Sequence, residues 1–421
     1  MRASATLKEW PSAQGSHGAR SDAIHLPRRL VSQPLRACVE TRWAIFFNHG
    51  LHGFCFLKIR VIRGQKGVGL EFRHTLLAVI TYLTQFFRWF IGHNMKTDEL
   101  EFPETLVDAV TYFADVDRAL NFLKFVRWPD GVASCPRCGG EDAAFMRTRR
   151  LWRCRGCQKQ FSVKGGTVFE DSPLGLDKWL PAVWCIVNAK NGISSCELAR
   201  ALGVTQKTAW FMLHRIRLAI QDGTLCDFAG NVEVDETYIG GAARNMHAGR
   251  RAKMMHGTGN AAHTPVMGLL ERGKGRKASR VILKVVETTR KPELQAHVRQ
   301  YVLKGSEVHT DALKSYQGLA DEYTHNVINH AECYAKGHVH TNGLENFWSL
   351  LKRAIKGTYV SVEPFHLFRY LDEQAFRFNE RKHADGDKGR FLAAISGIVG
   401  KRLTYKRLIG KEGGGYLPQG A

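Results

Sequence analysis

Apolar side chains change their spacing along the chain, and the change predicts two kinds of structure. Residues 103–127 and 176–220 place them at helical intervals, which predicts amphipathic helices, one or two of them in the first stretch. From residue 231 onward apolar and polar positions alternate, as in VEVDETYI, which predicts a β-strand. The chain therefore begins its patterned part with helices and continues with a sheet.

The second half has a regular order of predicted elements. Strands at residues 232–239, 266–271 and 280–287 precede a helix at 292–303 and a strand at 307–310. A helix at 312–319, a strand at 326–328 and a long helix at 342–355 follow. This is the element order of a ribonuclease-H-like domain, so we predict an α/β fold with a mixed sheet.

The first 94 residues follow neither period. Residues 1–61 are rich in Arg, His, Ser and Pro, and the apolar run at 76–91 is shorter than the ~20 residues that span a bilayer. Well-patterned sequence starts at Met95. We therefore expect residues 1–94 to be a spurious or disordered extension, with the natural product beginning at Met95. A genuine but irregular extension and a membrane anchor are the alternatives.

Two C-x-x-C pairs stand fifteen residues apart, Cys135 with Cys138 and Cys154 with Cys157. Each pair forms a knuckle, and two knuckles complete a tetrahedral Zn²⁺ site with no open position. We therefore predict a structural zinc ribbon at residues 135–170, after a helical lead-in at 95–134. Its arginines favour DNA contact, although many ribbons only scaffold; they are Arg147, Arg149, Arg150, Arg153 and Arg155.

Residues 171–225 carry a helix-turn-helix signature. Ser194 or Ser195 can cap a first helix, Gly203 allows the tight turn, and Thr205 caps a second helix. The second helix is predicted to turn inward Trp210, Leu213 and Ile216. Its predicted outward positions suit a DNA major groove and are Gln206, Lys207, His214, Arg215 and Arg217. A plain helical hairpin is the alternative.

The net charge narrows the choice of partner. The 421 residues include 61 Lys and Arg against 39 Asp and Glu, which gives +22. Each neutralised phosphate releases counterions, so double-stranded DNA is the first candidate and an anionic membrane the second, less expected one. A hydrophobic content of 44% excludes a disordered chain. Ten cysteines, four of them in the two pairs, indicate a reducing compartment such as the bacterial cytoplasm.

Three carboxylates fall where the predicted fold would gather them. Asp235 lies on the first strand, Asp311 ends the fourth, and Glu345 lies on the last helix, 34 positions after Asp311. Such a set can hold two Mg²⁺ or Mn²⁺ ions ~4 Å apart, which activate an attacking oxygen and stabilise a leaving one. The basic residues that follow on the same helix, and that we expect beside DNA, are Lys352, Arg353 and Lys356.

Neighbouring acidic residues are interpreted as solvated surface groups, namely Glu233, Glu236 and Glu332. Alternation turns Glu236 away from Asp235, whereas Glu233 shares the face of Asp235 and is a candidate for a supporting role behind the ligands. The basic stretch at 244–253 is either a solvated loop or a DNA-contacting one.

The chain resembles DDE-type transposases of bacterial insertion sequences, in the group that joins a zinc ribbon and a helix-turn-helix to the catalytic domain. The motifs cover residues 95 to about 382 and are CPRC with CRGC, VEVDETYIGG, VHTDALKSYQGL, HTNGLENFWSLLKRAIKGTY and FRYLDEQAFRFNER. The resemblance implies that Asp235, Asp311 and Glu345 are the acidic triad and that Lys352 is the basic residue after it. In this group the third acid can be replaced by Asn or His. We favour Glu345 over Asn342, one turn earlier, because a carboxylate binds a hard cation better.

The resemblance also implies a ribonuclease-H-like catalytic domain at residues 226–385, with a basic tail at 386–421. It implies binding of terminal inverted repeats, metal-dependent strand cleavage and transfer into target DNA, at least a dimer on DNA, and no small-molecule substrate. A nuclease on the same fold and a catalytically silent DNA-binding protein are the alternatives.

Overall fold

A computed structural model describes residues 47–49, 55–57, 102–221, 227–240, 249, 263–275, 277–328 and 340–412. The chain divides into two units, Met1–Leu77 and Ala78–Ala421. In the first, strand β1 (Phe47–His49) pairs antiparallel with β2 (Cys55–Leu57). Outside the described residues lie our predictions for the rest of 1–94 with its apolar run, for the basic side chains of 244–253, for Glu332 and for residues 413–421. Among the described residues, no helix is both long and apolar enough to cross a membrane.

In the described part of the second unit, the first elements are the two predicted amphipathic helices, α1 (Leu106–Ala114) and α2 (Val116–Arg127). Thr105 and Asp108 form a capping box at the start of α1, and the Asp115 side chain caps α2. These caps satisfy amide groups that have no partner inside a helix, so the chain can turn sharply between α1 and α2.

A three-stranded antiparallel ribbon follows, made of β3 (Ala143–Met146), β4 (Leu151–Cys154) and β5 (Gln160–Phe161). Trp152 of β4 is buried, stacks on Phe161 and meets the edge of Trp128 from the end of α2. The ribbon is therefore fastened to the helices by aromatic packing.

Three helices come next: α3 (Leu176–Asn188), α4 (Ser195–Leu202) and α5 (Gln206–Ile220). Ser194 caps α4 through a capping box with Glu197, Gly203 adopts φ 63° at its end, and Thr205 caps α5. The helices and the turn lie where the sequence predicted them. Their use as a DNA-binding helix-turn-helix stays a prediction.

Helix α9 (Gly386–Ser396) lies in the stretch that we predicted to be a tail, yet it packs in the core of these N-terminal helices. Its Phe391 is fully buried, with ring centroids 5.7 Å from Phe113, 5.8 Å from Phe122 and 5.1 Å from Trp184. The short helix α10 (Tyr405–Leu408) follows it.

The predicted mixed sheet is present, with strand order β10-β9-β6-β7-β8. Its strands are β6 (Asn231–Ile239), β7 (Thr264–Glu271), β8 (Arg280–Val285), β9 (Glu307–Asp311) and β10 (Thr324–Ile328). The hairpins β6–β7 and β7–β8 are antiparallel, whereas β9 runs parallel to both β6 and β10. The protein thus has the ribonuclease-H-like α/β fold that the element order predicted.

The helices around this sheet are α6 (Lys291–Tyr301), α7 (Asn342–Ala354) and α8 (Pro364–Asn379), and a π-helical turn (Ile355–Tyr359) extends α7. The helix predicted at 312–319 is wrong: two 3₁₀ turns, Lys314–Tyr316 and Leu319–Asp321, stand there. Gly318 at φ 96° separates the turns, and the Asp311 carboxylate accepts the Leu313 amide, so no continuous helix forms.

Candidate active site

Asp235, in the middle of β6, lies near Asp311, the last residue of β9. In the parallel pair β6–β9, Glu233 lies opposite His309, and the same register continued by two residues brings Asp235 to Asp311. Pairing between the strands ends at Glu233 and His309, so they part just before the two aspartates. The gap leaves space for the carboxylates to converge.

Glu236 joins the two aspartates, which the sequence did not predict. One carboxylate oxygen from each of Asp235, Glu236 and Asp311 lies within 4.8 Å of the others. Our interpretation of Glu236 as a solvated group facing away from Asp235 was therefore wrong. Pairing of β6 with β9 ends at Glu233, so β9 does not cover this edge of β6 beside Glu236, and the Glu236 carboxylate reaches the aspartates.

The charge balance of this cluster suits a divalent cation. Burial, followed by the charges of Asp311 and Asp235, raises the pKa of Glu236 to about 8. Burial also raises the pKa of Asp235, against the lowering effect of hydrogen bonds from Trp348 and from the Glu236 amide. Glu236 Oε1 is buried without a hydrogen-bond partner in the described part of the chain. A hard cation would stabilise these crowded oxygens, and carboxylates are the ligands that Mg²⁺ and Mn²⁺ prefer.

Glu345 lies close by, on the exposed side of the first turn of α7. Its charge contributes to the raised pKa of Asp235, although it is not one of the three residues whose oxygens come within 4.8 Å. One turn later, Trp348 Nε1 donates a hydrogen bond of 2.9 Å to Asp235 Oδ2. Asn342 is exposed as the first residue of α7, and the exposed residues further along this helix and turn are Lys352, Arg353 and Lys356.

Glu233 is only 1% exposed, so its interpretation as a solvated group was also wrong. Arg272 Nε donates to its Oε1 at 2.6 Å, and the backbone amide of Leu344 donates to its Oε2 at 2.9 Å. His340 Nδ1 lies 3.5 Å from Oε1. These partners come from β7 and from the start of α7, so only knowledge of the packing reveals them.

The four cysteines of the ribbon converge as predicted. All four sulfurs lie within 4.8 Å of one another, with Cys135 Sγ 3.7 Å from Cys157 Sγ and Cys138 Sγ 3.5 Å from Cys154 Sγ. A tetrahedral Zn²⁺ with bonds of about 2.3 Å requires sulfurs about 3.8 Å apart. The set therefore fits a structural zinc ion with no open position.

Two of the residues predicted to contact DNA are exposed at the start of α5, Gln206 and Lys207. The prediction that the other three face outward is wrong, because His214, Arg215 and Arg217 are 0%, 5% and 1% exposed. Burial lowers the pKa of His214 well below its usual range, so this ring is neutral. Helix α5 packs against α3, α4, α8 and α9, and its exposed residues are the first two, Gln206 and Lys207.

Arg217 is buried because α8 supplies a partner for its charge. Its Nε donates to Glu373 Oε2 at 2.6 Å, and its guanidinium carbon lies 3.8 Å from the ring centre of Tyr370. Glu373 is also bonded to Arg377 and to the hydroxyl of Tyr359. This buried cluster of Arg217, Glu373, Arg377 and Tyr359 joins the predicted DNA-binding helix to the helices around the sheet.

Comparison with known proteins agrees with this architecture. Residues 227–379 match an ISXO2-like transposase domain, and residues 115–160 match a transposase zinc-ribbon domain. A protein of Halobacterium salinarum, described as an uncharacterized protein in transposable element ISH50, is 30% identical over 253 residues, which cover 57% of this chain and 83% of the relative. With its zinc ribbon, its ribonuclease-H-like sheet and these matches, the chain belongs to the ISXO2-like family of insertion-sequence transposases.

Proposed function

We propose that this protein binds the terminal inverted repeats of its own insertion sequence, cleaves a strand at each end and joins the freed ends to target DNA. The observation that carries the proposal is the convergence of Asp235, Glu236 and Asp311 at the parting of β6 and β9, inside a domain that matches the transposase family. A protein that only bound DNA would have no need to crowd three carboxylates.

Asp235 and Asp311, together with Glu345, would hold the divalent cation, Mg²⁺ or Mn²⁺, on the basis of position and the family resemblance. When bound, the cation activates the attacking oxygen and stabilises the leaving oxygen of a phosphodiester. Trp348 and the Glu236 amide each donate to one oxygen of Asp235, which fixes the orientation of this carboxylate. Water attacks the phosphorus at the element end and breaks its bond to the 3′-oxygen, which leaves a 3′-hydroxyl on the element and a 5′-phosphate on the flanking strand. That 3′-hydroxyl then attacks a target phosphorus, so the element is joined to a target 5′-phosphate and a target 3′-hydroxyl is released.

The DNA contacts that we propose lie on surfaces of positive charge. Gln206 and Lys207 are exposed at the amino-terminal end of α5, which is the part of a recognition helix that meets base edges. On α7 and the turn after it, Lys352, Arg353 and Lys356 are exposed on the element that carries Glu345. We propose that the first surface recognises the element end and that the second holds phosphates near the acids. Because two ends must be held at once, we also propose that the protein assembles at least as a dimer on DNA.

The test is a joining reaction with labelled element ends, plasmid target and Mg²⁺. We expect joined products from the wild type, and loss of joining with retained end binding from Asp235→Ala, Asp311→Ala or Glu345→Ala. A variant that keeps joining removes its residue from the site. Cleavage without joining would identify a nuclease, and band shifts alone would identify a silent DNA-binding protein. A substitution of Asn342 in parallel tests the alternative third position.

A further inference from the structure

We propose that Glu233 is a positioning residue: it clamps the first turn of α7 and thereby holds Glu345 at the aspartates. The inference rests on the proposed function only in the role that it gives to Glu345. Glu233 precedes Asp235 by two positions on β6, so both side chains leave the same face of the strand, toward α7.

The start of α7 needs an external acceptor. The first amides of a helix have no partner within it, and Thr341, the residue before α7, does not cap the helix with its side chain in the described part of the chain. Leu344 is 0% exposed, so water does not reach its amide, and Glu233 Oε2 accepts that amide at 2.9 Å. A negative charge at this end is also favoured by the helix dipole. Glu233 thus does, from a neighbouring strand, what a capping residue does in other helices.

Arg272 secures the other side of the same carboxylate. Its Nε lies 2.6 Å from Glu233 Oε1, and its guanidinium also donates to the carbonyl oxygen of His340, two residues before α7. The Arg272 amide is bonded at 2.9 Å to the Asn231 carbonyl, at the start of β6. The carboxylate is therefore held from two directions and has little freedom to move.

Gly343 shows how closely the helix approaches Glu233. A Cβ atom at this position would lie 2.7 Å from Glu233 Oε2 and 3.0 Å from Oε1. Real Cβ atoms do not come so near, and the carboxylate cannot retreat without breaking its hydrogen bonds. The glycine of the motif TNGLEN is thus required by the clamp.

A second contact fixes the helix one turn later. Trp348 Nε1 is bonded to Asp235 Oδ2, and the indole lies on Gly268, where a Cβ would come within 2.7 Å of the ring. Gly268 faces Asp235 across the β6–β7 pair. Glu345 therefore lies between two points, Leu344 and Trp348, that are both tied to acids of β6.

The test compares the full-length variants Glu233→Gln and Glu271→Gln. Glu271 is the matched control: it is 5% exposed, accepts the Ala229 amide at 3.2 Å and pairs with Arg280 and Lys277, and none of these partners lies in α7. In Glu233→Gln, an NH₂ group replaces one of the two carboxylate oxygens that accept hydrogen bonds, so one of these bonds is lost. Hydrogen exchange of the peptide that contains residues 342–348 should therefore become about tenfold faster or more. It should not change in Glu271→Gln. Equal effects in the two variants would overturn the clamp.

Gly343→Ala is the second variant. The clamp predicts a change in the hydrogen-exchange rate of α7 that is opposite to the change expected from helix propensity alone. Alanine favours a helix over glycine, so without the clamp exchange of α7 should slow. With the clamp, the added methyl group displaces Glu233 Oε2 and exchange should quicken. Slower exchange in Gly343→Ala would refute the proposal even if Glu233→Gln does not fold.

The link to Glu345 is tested by the joining reaction. Displacement of a reacting group by about 1 Å costs on the order of 100-fold in rate. We expect Glu233→Gln to lose between tenfold and 100-fold in joining and to need more Mg²⁺ for half-maximal rate, with end binding unchanged and with Glu271→Gln like the wild type. An unaltered Mg²⁺ requirement would show that Glu233 does not position Glu345. If the wild type itself joins no DNA, the proposed function fails, whereas the exchange experiment still decides the clamp.

Discussion

Glu373 offers the sharpest test of how the helical and catalytic parts hold together. This carboxylate is 0% exposed and lies between two arginines, Arg217 at 1% and Arg377 at 7% side-chain exposure. It is the acid that both guanidinium groups contact, so it keeps two buried positive charges compensated. The perturbation is Glu373→Gln, which keeps the size of the side chain and removes its charge.

The expected loss is large because of burial. Breaking a buried ion pair by removing one partner costs about 3–5 kcal/mol, since the remaining charge has no water to compensate it. A protein of this kind has a free energy of unfolding of about 5–15 kcal/mol, so the variant would lose a substantial share of its stability. With a urea dependence of about 3 kcal/mol per molar, the midpoint should fall by about 1–1.7 M.

The assay is urea unfolding followed by tryptophan fluorescence, with Glu322→Gln as the control. Glu322 also lies between two cations, Arg299 at 2.6 Å and Lys304 at 2.8 Å, but at the surface, where solvent screens the pairs. We expect its midpoint to change far less. Equal shifts in both variants would refute the reasoning that burial decides the cost.

The pH dependence supplies a second check on Glu373. Burial would raise the pKa of this carboxyl, but Arg377 and Arg217 outweigh it and hold the pKa below its usual range. A carboxyl with a depressed folded pKa stabilises the fold above its unfolded pKa, and this contribution is lost as pH falls through the folded value. Acid should therefore destabilise the wild type more than Glu373→Gln. If the free energy of unfolding fell equally with decreasing pH in the two proteins, this account would be contradicted.

Three further predictions concern the acids, the zinc site and DNA. Because the pKa of Glu236 rises from 4.5 to about 8, metal-free wild type should lose stability as pH rises between these values, and Glu236→Gln should lose less, with Asp235 as the remaining acid of raised pKa; melting in EDTA at several pH values checks this. Cys154→Ser should abolish binding of one Zn²⁺ per chain and expose Trp152, as metal analysis and fluorescence would show; a full zinc content would contradict it. In Lys207→Ala, the slope of the logarithm of the end-binding constant against the logarithm of salt concentration should decrease by about 1, the value for one lost phosphate contact. An unchanged slope would contradict a phosphate contact of Lys207.

The sequence predicted the parts of this protein that depend on local rules. Strand alternation and the end of a strand located Asp235 and Asp311, and the spacing of the cysteines located the zinc ribbon. Glu236 escaped because its orientation depends on where β9 stops pairing with β6, which is a property of two distant segments. Alternation gives the face from which a side chain leaves its strand, but not where the end of a long side chain lies.

The burial of Arg215 and Arg217 on α5 was not predicted for a related reason. Along a helix, a charged side chain is by default expected to face water, and nothing between residues 206 and 220 contradicts this for Arg217. Its partner Glu373 lies 156 positions later, on a helix that covers this face. For Glu233 the sequence offered a supporting role beside Asp235 as one interpretation, but not its partner, because its acceptor role depends on the amide of Leu344, 111 positions away.

Helix α9 has a consequence for how the protein is made. The ring of Phe391 fills the centre of an aromatic cluster whose other members are Phe102, Phe113, Phe122 and Trp184, so that cluster stays incomplete until the segment around residue 391 has left the ribosome. The nascent chain therefore cannot complete its helical half early in translation, and a premature stop codon in the last part of the gene would damage that half as much as the sheet. The amino-terminal half also cannot be exchanged between related elements as an independent unit, unless the segment around Phe391 is exchanged together with it.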